Sequence, residues 1–214
     1  MNDNSTLVNE LYVSRKNILK YLKKIGYETD DLENFTLAEI NSMKNNTSEI
    51  SELNFDVYHK NDSNKKCTIY YYLKNSIKKN AIQNIVSDYY EDSEEHKENN
   101  NIIIITLGNI NDTIKGTISE LWSKYKEYVV IYNIKNLQYN ILEHKYVLEH
   151  IKLTLEEKKK LYKELNINND NELPEIGMLD PMAKLILLRP GEVCKIIRYE
   201  QNSYLTDYYR ICKI

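Results

Sequence analysis

The sequence predicts an α/β protein (α+β overall) built as two domains. Through the first two thirds of the chain, β-branched and aromatic runs alternate with helical stripes in the order strand–helix–strand–helix–strand. Near Leu142 the pattern changes to a Lys-rich helix, a stretch punctuated by Pro and Gly, and two short strand-like runs. The 214 residues suffice for two small cores without staples. The domains are set at 1–141 and 142–214, with no internal repeat.

A first helix is predicted over Leu7 to Ile25, where Leu11, Ile18, Leu22 and Ile25 share a face and Gly26 supplies a stop. A second opens at Thr36, whose capping-box partner is Glu39. Met43 to Ser63 is polar and weakly patterned and reads as loop. Cys67 to Leu73 (CTIYYYL) reads as a strand. Ile77, Ala81, Ile82, Ile85, Val86 and Tyr89 recur at helical spacing, and Glu91 to Asn101 is a charged loop. Ile102 to Leu107 (IIIITL) reads as a buried strand. Ile114, Ile118, Leu121, Trp122 and Tyr125 form the next helical stripe, and Val129 to Ile134 the next strand. This order requires at least part of the sheet to be parallel.

In the last third, Thr154 and Glu157 form another capping box, opening a helix to about Leu165. Leu173-Pro174 starts an extended segment, because the residue before Pro avoids helix. Asp180-Pro181 is a helix start, Asp as cap and Pro at the first helical position, with the helix over Met182 to Leu187. Pro190-Gly191 is a turn. Val193 to Tyr199 and Tyr208 to Ile214 are the strands of a hairpin.

The formal net charge is -3 and the sequence pI about 5.9. A protein that held nucleic acid alone through many phosphates would be basic, so any DNA contact is small or shared. The chain has 19 Tyr against 2 Phe and 1 Trp, and Lys replaces Arg almost everywhere, as AT-rich codons favour. The arginines are Arg15, Arg189, Arg198 and Arg210, three of them in the last stretch. Lys does not replace a planar bidentate donor, so this clustering marks the C-terminal region as chemically demanding. Chance clustering is the bland alternative.

Cys67, Cys194 and Cys212 are isolated, with no CxxC or Cys/His ligand spacing, so no metal and no cofactor are expected. An odd number of cysteines without a framework fits a reducing compartment. MNDNSTLVNELY lacks the features of a signal peptide, and no apolar run spans a membrane. There is no P-loop, G-x-S-x-G or Cys/His nucleophile signature, so no catalytic residue is assigned. His144 and His150 lie at the junction without further ligands, and structural hydrogen bonding is their simpler role. Tyr70, Tyr71 and Tyr72 could stack bases, but three consecutive strand residues cannot face one side, which favours packing.

The segment ELPEIGMLDPMAKLILLRPGEVCKIIR, followed by DYYRIC, resembles the C-terminal domain of the fifth subunit of eukaryotic-type DNA-directed RNA polymerases and its archaeal counterpart. The residues that carry the likeness are Leu173, Pro174, Ile176, Asp180, Pro181, Ala183, Gly191, Val193, Lys195, Ile196, Ile197, Arg198, Tyr209 and Arg210. The stretch NILEHKYVLEHIKLTLEEKKKLYKELNI is similar to the family's linker and first helix, with His144 and His150 at matching places. The N-terminal region resembles the family's jaw domain more loosely. Archaeal members lack that domain, so the length points to a eukaryotic or viral polymerase.

The resemblance implies a jaw with a restriction-endonuclease-like α/β core and a small mixed-sheet assembly domain. It implies a non-catalytic subunit, one copy per polymerase and no homo-oligomer. The assembly domain would dock on the largest subunit and the rest of the core, through Pro174, Asp180, Pro181, Gly191, Arg198 and Arg210. The jaw would reach downstream duplex DNA weakly, through phosphates. The family's DNA-approaching loop falls at Gly108 to Lys115, here without its proline. Free N–H groups at the following helix start can bind phosphate, with Asn111, Thr113 and Lys115 as the contacts; plain N-capping is the alternative. Asp112 opposes such contact unless it only caps. The stretch Glu200 to Tyr204 also departs from the family's small-residue turn. Arg198 and Arg210 are expected near facing positions of the hairpin, where they need acidic or carbonyl acceptors, internal or on the partner.

Two rivals are carried. One is a nuclease on the jaw fold, for which Glu95-His96-Lys97 is the tempting Glu-x-Lys. The other is a free-standing regulator with a copied assembly domain. The expected location is the nucleus if the source is cellular, and the host cytoplasm, viral factory and virion if it is a large DNA virus; the loose jaw, missing proline and AT-rich composition suit such a virus and also an AT-rich eukaryote.

Overall fold

In the computed structural model the described residues are 2–45, 52–91, 100–199 and 204–214. The chain divides into two compact units, Met1–Asn140 and Ile141–Ile214. Each is a mixed α/β arrangement around its own four-stranded sheet.

The N-terminal unit opens with helix α1 (Asn2–Lys24), which buries Leu11, Ile18 and Leu22 as the 3.6 spacing requires. Gly26, at φ +94°, turns the chain out of it; a Cβ there would sit 2.7 Å from the His59 ring. Helix α2 (Leu37–Asn45) follows, and its box is complete: the Glu39 carboxylate accepts from the Thr36 amide at 2.7 Å. The sheet comprises β1 (Phe55–His59), β2 (Asp62–Tyr72), β3 (Asn101–Thr106) and β4 (Val129–Asn133), in that order. β1 pairs antiparallel with β2, whereas β2, β3 and β4 run parallel. The parallel connections are made by α3 (Lys79–Glu91) and α4 (Asp112–Tyr125).

Every residue of β3 and β4 is buried, so these strands show continuous apolar runs rather than alternation. β2 alternates instead: Tyr71 is buried with its hydroxyl 3.3 Å from Ser14 Oγ, while Tyr70 and Tyr72 are half-buried. Burial pushes the Tyr71 phenol up to about 12. Those three tyrosines are packing residues of a strand, not one stacking platform.

The loop expected over Met43 to Ser63 is corrected: β1 and the first residues of β2 lie inside it. β1 shows only one fully buried side chain, Val57, and a register shift at Tyr58/His59, so its period is too short to stand out. Tyr125 is also corrected. It is 62 % exposed, and the buried aromatic at that end is Tyr128, edge-on to Trp122.

Arg15 is buried inside this unit. The chain's two phenylalanines flank its guanidinium, with Cζ 4.0 Å from the Phe35 centroid and 4.1 Å from Phe55. Its Nη1 donates to the Leu53 carbonyl at 2.9 Å, and burial holds its pKa below the usual value.

The C-terminal unit contains β5 (Glu149–Lys152), α5 (Leu155–Glu164), β6 (Glu175–Gly177), α6 (Pro181–Leu185), β7 (Val193–Arg198) and β8 (Thr206–Lys213). The sheet order is β5-β7-β8-β6, antiparallel except for β6 beside β8. β5 lies where the sequence read only a linker. Glu-His-Ile-Lys carries one apolar residue, and edge pairing to β7, not composition, makes it a strand. α5 covers one face, with Leu161, Leu173, Val193 and Ile211 as the shared core. Its capping box is present: Thr154 and Glu157 exchange side-chain-to-backbone bonds of 2.7 and 3.2 Å. α6 starts as expected from Asp180 and Pro181 but ends earlier, because Leu187 takes φ +50°. The chain after α6 lies on the other face, where Cys212 Sγ donates to the Leu188 carbonyl at 3.5 Å and Lys152 Nζ to that of Leu187 at 3.2 Å.

Candidate functional site

Two regions hold the residues singled out by sequence. The first is the loop between β3 and α4. Gly108 is buried, and a Cβ there would lie 2.9 Å from the Asn75 carbonyl oxygen, so the backbone crossing requires glycine. Asn133, at the end of β4, donates from Nδ2 to the carbonyls of Gly108 (2.9 Å) and Leu107 (3.3 Å). The loop is thus tied to the neighbouring strand before α4 begins.

The cap of α4 is Asn111, whose Oδ1 accepts from the Ile114 amide at 3.0 Å. Asp112, read as either opponent or cap, is the first helical residue. Lys115 Nζ bonds it at 2.8 Å, which holds its carboxyl below the usual carboxylate range. Lys115 thus has a solvent-exposed ion-pair partner within its own helix turn. Thr113 is exposed, and its carbonyl accepts from Thr117 Oγ1 at 2.9 Å. What the loop offers an anion is the amides of Asp112 and Thr113, the Asn111 Nδ2 group and the Thr113 hydroxyl, since the Ile114 and Lys115 amides are bonded to Asn111.

The second region is the C-terminal unit. Asp180 caps α6, accepting from the Met182 amide at 2.8 Å, and Pro181 is exposed beside it. Pro174 is exposed and its carbonyl accepts from Ile211 at 2.9 Å. Gly191 has φ +90°, donates to the Cys212 carbonyl (2.9 Å) and accepts from Lys158 Nζ (2.9 Å). Both of its backbone groups are thus used within the unit. Lys158 also bonds Asp170 at 3.0 Å, fastening α5 to the turn. These residues surround one end of β8, with Arg210 near Pro174: Arg210 Nη1 donates to the Glu175 carbonyl at 3.1 Å.

Arg198 and Arg210 do not face each other. Arg198 pairs with Thr206 and Arg210 with Cys194. The hairpin closes farther back than the sequence suggested, which separates the arginines by two registers on one face. Tyr208 lies between them, its ring centroid 3.6 Å from Arg198 Cζ and 5.6 Å from Arg210 Cζ. Sequence reasoning passed over Tyr208 in favour of Tyr209. The two-residue period would have found it, since only Tyr208 shares the face of Arg210.

His144 Nδ1 accepts from the Tyr146 amide at 3.3 Å, and His150 Nδ1 lies 2.9 Å from the Leu148 carbonyl, so both imidazoles hold local backbone. Burial raises the thiols of Cys194 to about 11 and Cys212 to about 12, which leaves them protonated at neutral pH. Among the described residues no group of three or more His, Cys, Asp or Glu could hold a metal ion. No helix among them is long and apolar enough to cross a membrane. Glu95-His96-Lys97 and residues 200–203 lie outside the described residues.

Residues 139–212 match the family described as RNA polymerase Rpb5, C-terminal domain. Over 188 residues the chain is 30% identical to DNA-directed RNA polymerase V subunit 5A of Arabidopsis thaliana, covering 86% of this chain and 80% of that protein. It is 28% identical over 217 residues to subunit RPABC1 of DNA-directed RNA polymerases I, II, and III of Caenorhabditis elegans, covering 99% of each. The archaeal subunit Rpo5 of Aeropyrum pernix is 40% identical over 70 residues, 33% of this chain and 77% of the archaeal one. With its two mixed sheets, its near full-length likeness to polymerase subunits and its matched C-terminal unit, the chain belongs to the RNA polymerase subunit 5 family.

Proposed function

We propose that this chain works as a non-catalytic subunit of a multisubunit DNA-dependent RNA polymerase, present once per enzyme. The observation that carries the reading is the near full-length likeness to chains named as polymerase subunits, with the C-terminal unit as the matched family domain. In this reading residues 142–214 form the assembly domain and dock on the largest subunit, through the exposed Pro174, Pro181 and Gly191 and the side chains of Asp180, Arg198 and Arg210. Residues 1–141 form a jaw that reaches downstream duplex DNA, and Asn111, Thr113 and Lys115 meet phosphates there. Such contacts position the duplex without reading its sequence. The metal and the nucleotidyl chemistry belong to the large subunits, and this chain contributes no active site. A cellular polymerase of this kind works in the nucleus; a viral one would place the chain in host cytoplasm or virion.

The test is to tag the chain in its native system, purify at moderate salt and identify what co-elutes. The two large polymerase subunits are expected in near-equal amount. Their absence would refute the reading. Given the complex, Thr113→Ala is expected to weaken downstream-DNA crosslinking at the loop equally for all sequences.

A further inference from the structure

The strands of the C-terminal unit segregate their charges by face. Glu149, Lys195 and Asp207 share one face by register, and there Lys195 Nζ lies 2.6 Å from the Asp207 carboxylate. His150, Lys152, Arg198 and Arg210 share the other, where β5, β7 and β8 place no carboxylate. Lys152 is matched by Glu192 at 2.6 Å. Asp180, on the α6 side, spends its carboxylate on the Met182 amide. Among the described residues Arg198 has no hydrogen-bond acceptor, only the Tyr208 ring. Arg210 bonds one carbonyl, and its Nε is buried without a partner.

Among the described residues, two guanidinium groups thus share one tyrosine ring with no counter-ion. The ring attracts each, but the like charges repel, and a buried donor left unpaired costs free energy. An anion placed against both relieves the repulsion between them and gives the Arg198 fork an acceptor. Stacking on Tyr208 also fixes the plane of the Arg198 guanidinium, so its outer N–H fork is prepared for a carboxylate. Exposed Tyr199 and Tyr204, edge-on to each other with centroids 6.3 Å apart, continue the surface beyond Arg198 with apolar area.

We infer that the Arg198–Tyr208–Arg210 ladder receives an acidic segment of a partner polypeptide, two of whose carboxylates pair with the two guanidinium groups. This rests on the subunit reading above and names the chemistry of that docking face. A polypeptide fits better than a nucleic-acid strand. Two uncompensated cations on a chain of net charge -3 suit one or two carboxylates, whereas a strand bound through its backbone needs a longer positive track.

The experiment uses the full tagged chain in its polymerase complex, immobilised and washed with rising salt. Arg198→Gln carries the test, since among the described residues Arg198 makes no hydrogen bond whose loss would unfold the unit; a matched urea midpoint confirms that. R198Q is expected to be released about tenfold more readily than the parent, and Arg198→Lys to fall between, because Lys keeps charge but not the stacked fork. Added oligo-glutamate is expected to release the parent, and oligothymidylate of equal charge to leave it bound. Identical release of parent and R198Q overturns the inference while the subunit reading stands, as does release by oligothymidylate alone. A parent chain that never co-elutes with the large subunits fails the subunit reading instead.

Discussion

Replacing Arg15 by Lys keeps the charge and removes the plane. Arg15 is 4% exposed, sandwiched between Phe35 and Phe55, and bonded to Leu53. A desolvated cation–π contact is worth about 2 kcal/mol, and a hydrogen bond from a charged donor about 1.5–3 kcal/mol. An ammonium group can keep the carbonyl bond or approach one ring, but it cannot lie flat between two, and it resists desolvation more than guanidinium does. The expected cost of R15K is therefore about 3 kcal/mol. With a urea slope of about 2 kcal/mol/M, that lowers the midpoint by about 1.5 M. The chain's one tryptophan, Trp122, is in α4 of the same unit, so its fluorescence reports this transition. Arg15→Met separates charge from shape. Met fills the slot and makes sulfur–aromatic contacts, so its cost is expected to be smaller, about 1–2 kcal/mol. An R15K midpoint within experimental error of the parent would refute the argument that planar stacking holds this cation.

Two glycines should respond oppositely to alanine. Gly116 sits inside α4 with nothing within 4 Å of a new Cβ, so G116A is expected to stabilise by about 0.5–1 kcal/mol in the same urea assay. At Gly108 the Cβ meets the Asn75 carbonyl oxygen at 2.9 Å, and G108A is expected to cost about 1–3 kcal/mol. Asn133→Ala frees the carbonyls of Leu107 and Gly108, and is expected to cost about 1–3 kcal/mol and to speed amide exchange at the start of α4. Hydrogen bonds from Thr154, backbone first, depress the Glu157 carboxyl. A depressed carboxylate stabilises fully above its unfolded value of about 4.3 and loses that contribution as pH falls through the folded value. Amide protection at the start of α5 should therefore fall below about pH 4, and Glu157→Gln, which removes the titrating carboxyl, should abolish that dependence.

What could be read in advance was whatever leaves a local signature. Capping boxes at Thr36 and Thr154, the Asp180-Pro181 start and the aliphatic strands all declare themselves within a few residues, because their causes are local. β1 and β5 do not. Phe55–His59 and Glu149–Lys152 become strands because β2 and β7 present edges to them. The candidate sites divide in the same way. That Asn111 caps α4 follows from residue type and spacing, but the pairing of Lys115 with Asp112 and the hold of Asn133 on the loop require the fold. The arginine ladder was half legible: the cluster was visible by composition, whereas its shared ring depends on where the hairpin closes.

The buried run in β3 has a further consequence for how the protein behaves once opened. Ile102 to Ile105 is bordered on both edges by β2 and β4, and each of its side chains is buried. The segment combines high β-propensity with no charge and no proline, the composition that self-associates when copies meet. Unfolded chains should therefore cluster through this segment faster than they return, so heated samples precipitate and the apparent melting point moves with scan rate. Shelf life at elevated temperature would then follow the rate at which β3 is uncovered, and substitutions that slow that uncovering would protect the protein even where they leave the equilibrium unchanged.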